Sequence, residues 1–209
     1  MLRIRILRCC VSVCALFVVT GMCNGQENDR SDLGNAKAHP EIAGITTVLR
    51  KNSHAEVFIG RLVRGYSLND QGPRPTLKLA SLFTDQVLKG DISREWSTTY
   101  GFPIVDTVKD ALTRGAGSLN VDGVLLVAEH GEYEKSASGN TMYPKRRMFG
   151  EVAETFRSSG RAVPVFIDKH LADNWTDAKW VYDQAKELNV PLMAGSSLPV
   201  LWRYPPVDT

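Results

Sequence analysis

VDGVLLVA, residues 121–128, is apolar at almost every position, and a strand written this way has no side to give to water. It must be covered on both faces, which is the situation of a strand inside a parallel sheet. Other segments repeat the pattern on either side of it. IAGITTV (42–48), LKLASLF (77–83), FPIVD (102–106), VPVFI (163–167) and VPLMAG (190–195) are short, apolar and bounded by turn formers. Helical patterns lie between them. Ser53 with Glu56 forms a capping box ahead of Ile59, Leu62, Val63 and Tyr66. Ser93 opens a short helix with Trp96 and Tyr100 that Gly101 ends, and Thr107 with Asp110 caps one carrying Val108, Ala111 and Leu112. After a polar loop (129–144), Met148, Phe149, Val152, Ala153 and Phe156 recur at helical spacing until Gly160. Thr176 to Leu188 reads as a last helix, turning Ala178, Val181, Tyr182, Ala185 and Leu188 inward.

Six strands alternating with helices predict one α/β domain over residues 41–199, a doubly wound parallel sheet of the Rossmann-like kind with right-handed crossovers. Such a sheet places its ligand at the carboxyl ends of the strands, where the winding reverses between the first and fourth. The candidate residues therefore follow the strands: Arg50 to His54, Thr84 and Asp85, Glu129 to Gly131, Asp168 to His170, and Gly195 to Ser197.

The first 25 residues read differently. Arg3, Arg5 and Arg8 precede an apolar run from Val11 to Val19, and small or polar residues lead to a cut after Gly25, the layout of a secretory signal peptide. The run is too short for a permanent membrane span. Cys23 raises a lipoprotein reading that the bulk of Met22 disfavours. All four cysteines (Cys9, Cys10, Cys14, Cys23) lie in this leader, so the mature chain is expected to have neither disulfides nor thiolate metal sites. The leader holds three of the 25 basic residues and none of the acidic ones, so its removal takes the formal charge from +2 to −1. That balance gives no support to a nucleic-acid partner. Residues 26–40 are polar and read as a disordered linker.

From Leu77 onward, local phrases resemble the nucleotide-binding domain of the Gfo/Idh/MocA oxidoreductases, the family of glucose-fructose oxidoreductase and inositol dehydrogenase. YGFPIVDTVKDAL (100–112) resembles that family's helix end, short strand and next helix. VDGVLLVAEHG resembles its fourth strand, VPVFIDKHLADNWTDAKWVYDQAKEL its EKP segment, and VPLMAGSSLPVLWR the strand leading out of the domain. The resemblance implies NAD or NADP as cofactor and a sugar or polyol as substrate. It also implies a proton-handling lysine, here Lys169 in the triplet Asp168, Lys169, His170. Such a lysine, at a strand end facing a desolvated crevice, suits acid/base work. By topology, Asp85 falls where a ribose-binding carboxylate lies, next to Thr84. The helix start at Ser53 and His54, flanked by Arg50 and Lys51, offers an anion site or a plain cap.

Three departures accompany the resemblance. LRKNSHAE (49–56) has no glycine where the family has its GxGxxG turn, and close backbone approach to a pyrophosphate needs those glycines. His170 stands for the signature proline, and Glu129 with His130 for the usual Thr-Pro, which makes that side of the crevice more charged. Family enzymes continue into a second domain that supplies an aspartate and a histidine, whereas this sequence reaches only Thr209. The expectation is an incomplete enzyme, a binding module for a sugar or nucleotide, or a half-enzyme joined by a second chain or a second copy through the apolar tail at 200–209.

The remaining clusters are weaker signals. His130 and His170 with nearby carboxylates lack HxH or HxxxH spacing, so no metal is expected. Trp175, Trp180, Tyr182, Trp202 and Tyr204 suit sugar stacking or, alternatively, core and interface packing. Lys145, Arg146 and Arg147 read as a solvated helix start. Export predicts a mature amino terminus near Gln26; amino-terminal sequencing of the protein from outside the cytoplasm checks this, and an intact Met1 there would refute it.

Overall fold

A computed structural model describes residues 39–66 and 73–201. The leader, most of the linker, residues 67–72 and the tail from Trp202 lie outside the described residues. Six parallel strands form one sheet: β1 (Glu41–Thr46), β2 (Lys78–Thr84), β3 (Ile104–Val105), β4 (Gly123–Val127), β5 (Val165–Asp168) and β6 (Leu192–Gly195). Their order is β3-β2-β1-β4-β5-β6, so the winding reverses between β1 and β4, as the doubly wound reading requires. The helices are α1 (His54–Arg64), α2 (Ser93–Tyr100), α3 (Val108–Thr113), α4 (Lys145–Ser159) and α5 (Trp175–Glu187). The expected strands and the observed ones agree to within one or two residues at each end. Among the described residues no helix is long and apolar enough to cross a membrane.

The caps read from the sequence form. Ser53 Oγ accepts from the Glu56 amide at 3.1 Å, and Thr107 Oγ1 from the Asp110 amide at 3.0 Å. Each satisfies one of the donors a helix leaves unpaired at its start. Asn174 does the same for α5, accepting from the Asp177 amide.

Two layers cover the sheet. On one face α3, α4 and α5 bring Val108, Leu112, Phe149, Phe156 and Val181 against Ile45, Leu126 and Ile167. On the other, α1 and α2 bring Ala55, Ile59 and Trp96 against Ile42, Leu82 and Leu125. This explains the composition of β4, whose five residues are all buried. The second layer stops over β4 and β5. Phe166 is only partly covered there and Met193 of β6 is exposed, leaving a groove of about 620 Å³ walled by Phe58, Leu62, Tyr66, Leu125, Phe166 and Met193.

Three readings are corrected. Tyr182 is exposed rather than inward, because Val181 and Ala185 already supply the narrow stripe that an edge helix needs and Tyr182 lies a third of a turn away. Tyr66 is exposed past the end of α1. Lys145 is buried, not solvated, while Arg146 and Arg147 beside it stay at the surface. The first correction is testable: Phe149→Ala should cost about 3–5 kcal/mol by cavity creation, and Tyr182→Ala should stay within about 0.5 kcal/mol, both read from urea unfolding.

Candidate functional site

The carboxyl ends of the strands bring three polar clusters together. The first joins residues 114 apart in sequence. Asp168 closes β5 and is fully buried, and its Oδ2 lies 2.6 Å from Nδ1 of His54, the first residue of α1. A carboxylate only accepts, so Nδ1 carries the shared proton, and in the neutral ring it is Nε2 that has the lone pair. Asp168 Oδ1 is buried with no hydrogen-bond partner. His130, beyond β4 in left-handed backbone (φ 66°), sets its ring edge-on against His54 at a centroid distance of 5.2 Å. Its Nδ1 is likewise buried and unpartnered.

The second cluster centres on Lys145 at the start of α4. Its ammonium, 1% exposed, donates to Glu129 Oε1 at 2.6 Å and to the carbonyl of Lys169 at 2.8 Å. It thereby pins the residue after β4 to the end of β5. Thr47 Oγ1 adds a bond to the Glu129 carbonyl at 2.6 Å, bringing β1 into the same knot. An ammonium this deeply buried is tolerable only because both of these acceptors meet it; leaving its partner unpaired costs about 3–5 kcal/mol.

The third cluster fastens the 129–144 loop to the end of β2. Tyr133 donates its hydroxyl to Asp85 at 2.7 Å, and Arg147 reaches the other oxygen of Asp85 at 2.7 Å. Burial and the Asp85 carboxylate push the Tyr133 phenol far above its ordinary range, so it remains a donor. Gln86 pairs with Glu132 through both main-chain groups. Gly131 (φ 115°) is required where the loop turns: a Cβ there would meet the Tyr133 ring at 2.5 Å.

Two cavities open beside these clusters. One, of about 650 Å³, is walled by Glu129, Asn140, Tyr143, His170, Asp173 and Trp175. The other, of about 370 Å³, is walled by Asn52, Ser53, His54, Lys169, Ser197 and Leu198. The expected site residues thus fall into separate surroundings. His54, His130 and Asp168 meet directly, Lys169 shares a cavity with His54, and Glu129 and His170 face the larger cavity. Thr84 is buried, accepting from Thr46 Oγ1 at 3.4 Å, and Asp85 is engaged by Tyr133 and Arg147. Ser53 is taken up as the helix cap. Lys145, Tyr133, Gln86 and Arg147 were not foreseen as site residues. The one available signal was Glu129, a carboxylate directly after the most apolar strand, which demands a buried cation. Among the described residues no three His, Cys, Asp or Glu side chains gather as metal ligands.

No family model matches the sequence, and no curated protein is similar to it. Solved structures are similar in fold. With scyllo-inositol dehydrogenase from Lactobacillus casei the TM-score is 0.50 at 11% identity, over 77% of this chain and 37% of that one. Myo-inositol 2-dehydrogenase from Lactobacillus plantarum gives 0.48 at 16% identity, over 75% and 36%. Biliverdin reductase from Synechocystis sp. PCC 6803, solved with biliverdin and NADP+, gives 0.45 at 13%, over 74% and 37%. These likenesses bear on the fold alone, which is a single Rossmann-like α/β domain. The chain spans little more than a third of the length of those dehydrogenases.

Burial lowers the pKa of His130, and Arg50 and His54 add to the effect against the opposing pull of Glu129 and Asp168. The folded state therefore prefers the neutral ring. Below the ordinary value of 6.5 the unfolded chain binds a proton that the folded chain resists, so stability present above that pH is lost as pH falls. His130→Asn, which tolerates the left-handed backbone, should show a smaller drop in melting temperature from pH 7 to pH 5 than the parent. Equal drops would show that His130 does not titrate this way.

Proposed function

We propose that this is an exported small-ligand-binding domain of dehydrogenase-like fold, which holds an uncharged polyhydroxylated compound, a sugar or polyol, in the larger cavity. The observation that carries this reading is Trp175, 77% exposed at the start of α5 and forming one wall of that cavity. An indole standing in water at the rim of a cavity offers a flat apolar face against which a ligand can lie. The other walls are hydrogen-bonding groups, the amides of Asn140 and Asn174 and the carboxylates of Glu129 and Asp173, with Tyr143 as a second ring. An apolar ring face beside planar hydrogen-bonding groups suits a molecule whose faces alternate C–H and O–H. Among the described residues no lysine or arginine lines the cavity, and the Glu129 and Asp173 carboxylates would repel a phosphorylated sugar. Export rests on the charged and apolar leader.

NAD or NADP, implied by the family resemblance and the fold, does not fit the crevice in its usual orientation. The end of α1 that would meet the pyrophosphate holds the chain's own carboxylate, since Glu56 accepts from the Asn52 amide and Ser53 occupies the Glu56 amide. A pyrophosphate would have to displace that carboxylate, with no glycine to let the backbone approach. Asp85, where a ribose carboxylate lies, is held by Tyr133 and Arg147. No hydride step is therefore built on this site. The exposed groove over β4 and β5, with Met193, Leu198 and Leu201 exposed near it, supports a contact with a second chain or a second copy as the remaining part of the proposal.

Calorimetric titration tests the reading. Unphosphorylated sugars or polyols should bind, and Trp175→Ala should weaken the best of them about tenfold, roughly 1.4 kcal/mol. NAD and NADP should bind no tighter than about 100 μM. Submicromolar dinucleotide binding, or sugar affinity untouched by the Trp175 change, would overturn the proposal.

A further inference from the structure

The pair formed by His54 and Asp168 is not used by ligand binding in the larger cavity, and it has a geometry that a purely structural contact does not need. Asp168 is 0% exposed, spends one oxygen on His54 and leaves the other buried without a partner. A buried oxygen with no donor costs free energy that packing alone gives no reason to keep. The His54 ring is 24% exposed and lines the smaller cavity together with Lys169, Asn52 and Ser197. The Lys169 ammonium makes no ion pair among the described residues, whereas the neighbouring buried lysine, Lys145, is fully engaged. A base oriented by a buried carboxylate and an uncommitted cation therefore share one cavity.

We infer that His54 and Asp168 form an acid/base dyad acting on hydroxycarbonyl compounds, which the smaller cavity isomerises or epimerises through an enediol. His54 Nε2 removes the proton from the carbon next to the carbonyl. The electron pair of that C–H bond forms the carbon–carbon double bond, and the carbonyl electrons move onto oxygen, where the Lys169 ammonium holds the new charge. Asp168 stabilises the imidazolium. For epimerisation, His54 returns the proton to the same carbon, on the opposite face of an enediol that has turned in the cavity. For isomerisation, the proton goes to the former carbonyl carbon. The neighbouring hydroxyl gives up its hydrogen and becomes the carbonyl, and the former carbonyl oxygen gains one. Atoms and electrons balance within the substrate, so the dyad and Lys169 suffice. The inference goes beyond the binding proposal, which is read from affinity, while this one is read from the rate of proton exchange; either can fail alone.

The test uses the full chain in D2O with a panel of unphosphorylated aldoses and ketoses, from glyceraldehyde and dihydroxyacetone to glucose and fructose, followed by proton NMR. At least one compound should lose its α-carbon proton signal faster than in protein-free buffer. His54→Gln should slow that exchange by about 100-fold or more, and Lys169→Met should slow it with the fold kept, judged by melting temperature. Asp168→Asn removes the anion that orients and stabilises the imidazolium, so it should slow the exchange and alter its rate profile against pH with the fold kept. A merely structural pair would not move the rate profile. No exchange above buffer with any member of the panel overturns the inference, as does a rate that survives His54→Gln or Lys169→Met. If His54→Gln does not fold, the Lys169 and Asp168 variants decide by the same readings.

Discussion

One buried ammonium holds the business end of this domain together. Lys145 reaches from the first turn of α4 to a carboxylate beyond β4 and a carbonyl beyond β5, and through Glu129 the bond from Thr47 brings in β1. The three central strands are thereby joined just where a doubly wound sheet would otherwise fan apart. Everything else at that edge depends on this knot. It sets the start of the 129–144 loop, next to His130, and holds the backbone just after Asp168 through the Lys169 carbonyl. The interaction is also intolerant of half measures, since a charge placed so deep is costly to leave alone.

The fold was legible because its signal is repeated. A strand covered on both faces must be apolar throughout, and VDGVLLVA, IAGITTV and VPVFI each say so independently. Capping residues at Ser53 and Thr107 then mark where helices begin. Errors in reading arose at positions of partial burial. Tyr182 belongs by composition to the inward set, yet α5 covers the sheet edge and needs only Val181 and Ala185.

The site was half legible. Topology alone directs attention to the residues after each strand, so His54, Asp85, Glu129, His130, Asp168 and Lys169 are all found by rule. Which of them touch is not encoded in spacing. His54 and Asp168 meet across 114 residues, and no local pattern distinguishes that pair from Asp85 with Arg147. Lys145 was hidden for a related reason. A run of three basic residues at a helix start reads as solvent-facing, and only the three-dimensional placement of Glu129 turns one of them inward while Arg146 and Arg147 stay out.

The attachment of the 129–144 loop has a consequence for how the domain moves. Asp85 with Tyr133, the side-chain amide of Gln86 with Glu132, and the Lys145 knot at Glu129 fasten the first five residues of this loop, and Arg147 of α4 ties to Asp85 beside them. A hinged flap swings on two ends; here residues 129–133 are held to the sheet, while residues 134–142 bond to one another, Lys135 bridging to Thr141. Local opening of the 129–133 stretch would have to break several of these bonds at once, so the Glu129 wall of the larger cavity moves with the sheet. Glu129 is therefore a fixed wall of that cavity, whereas Asn140 and Thr141 belong to the stretch that is bonded within itself, so the cavity has one side set by the sheet and one side set by the loop's own turn.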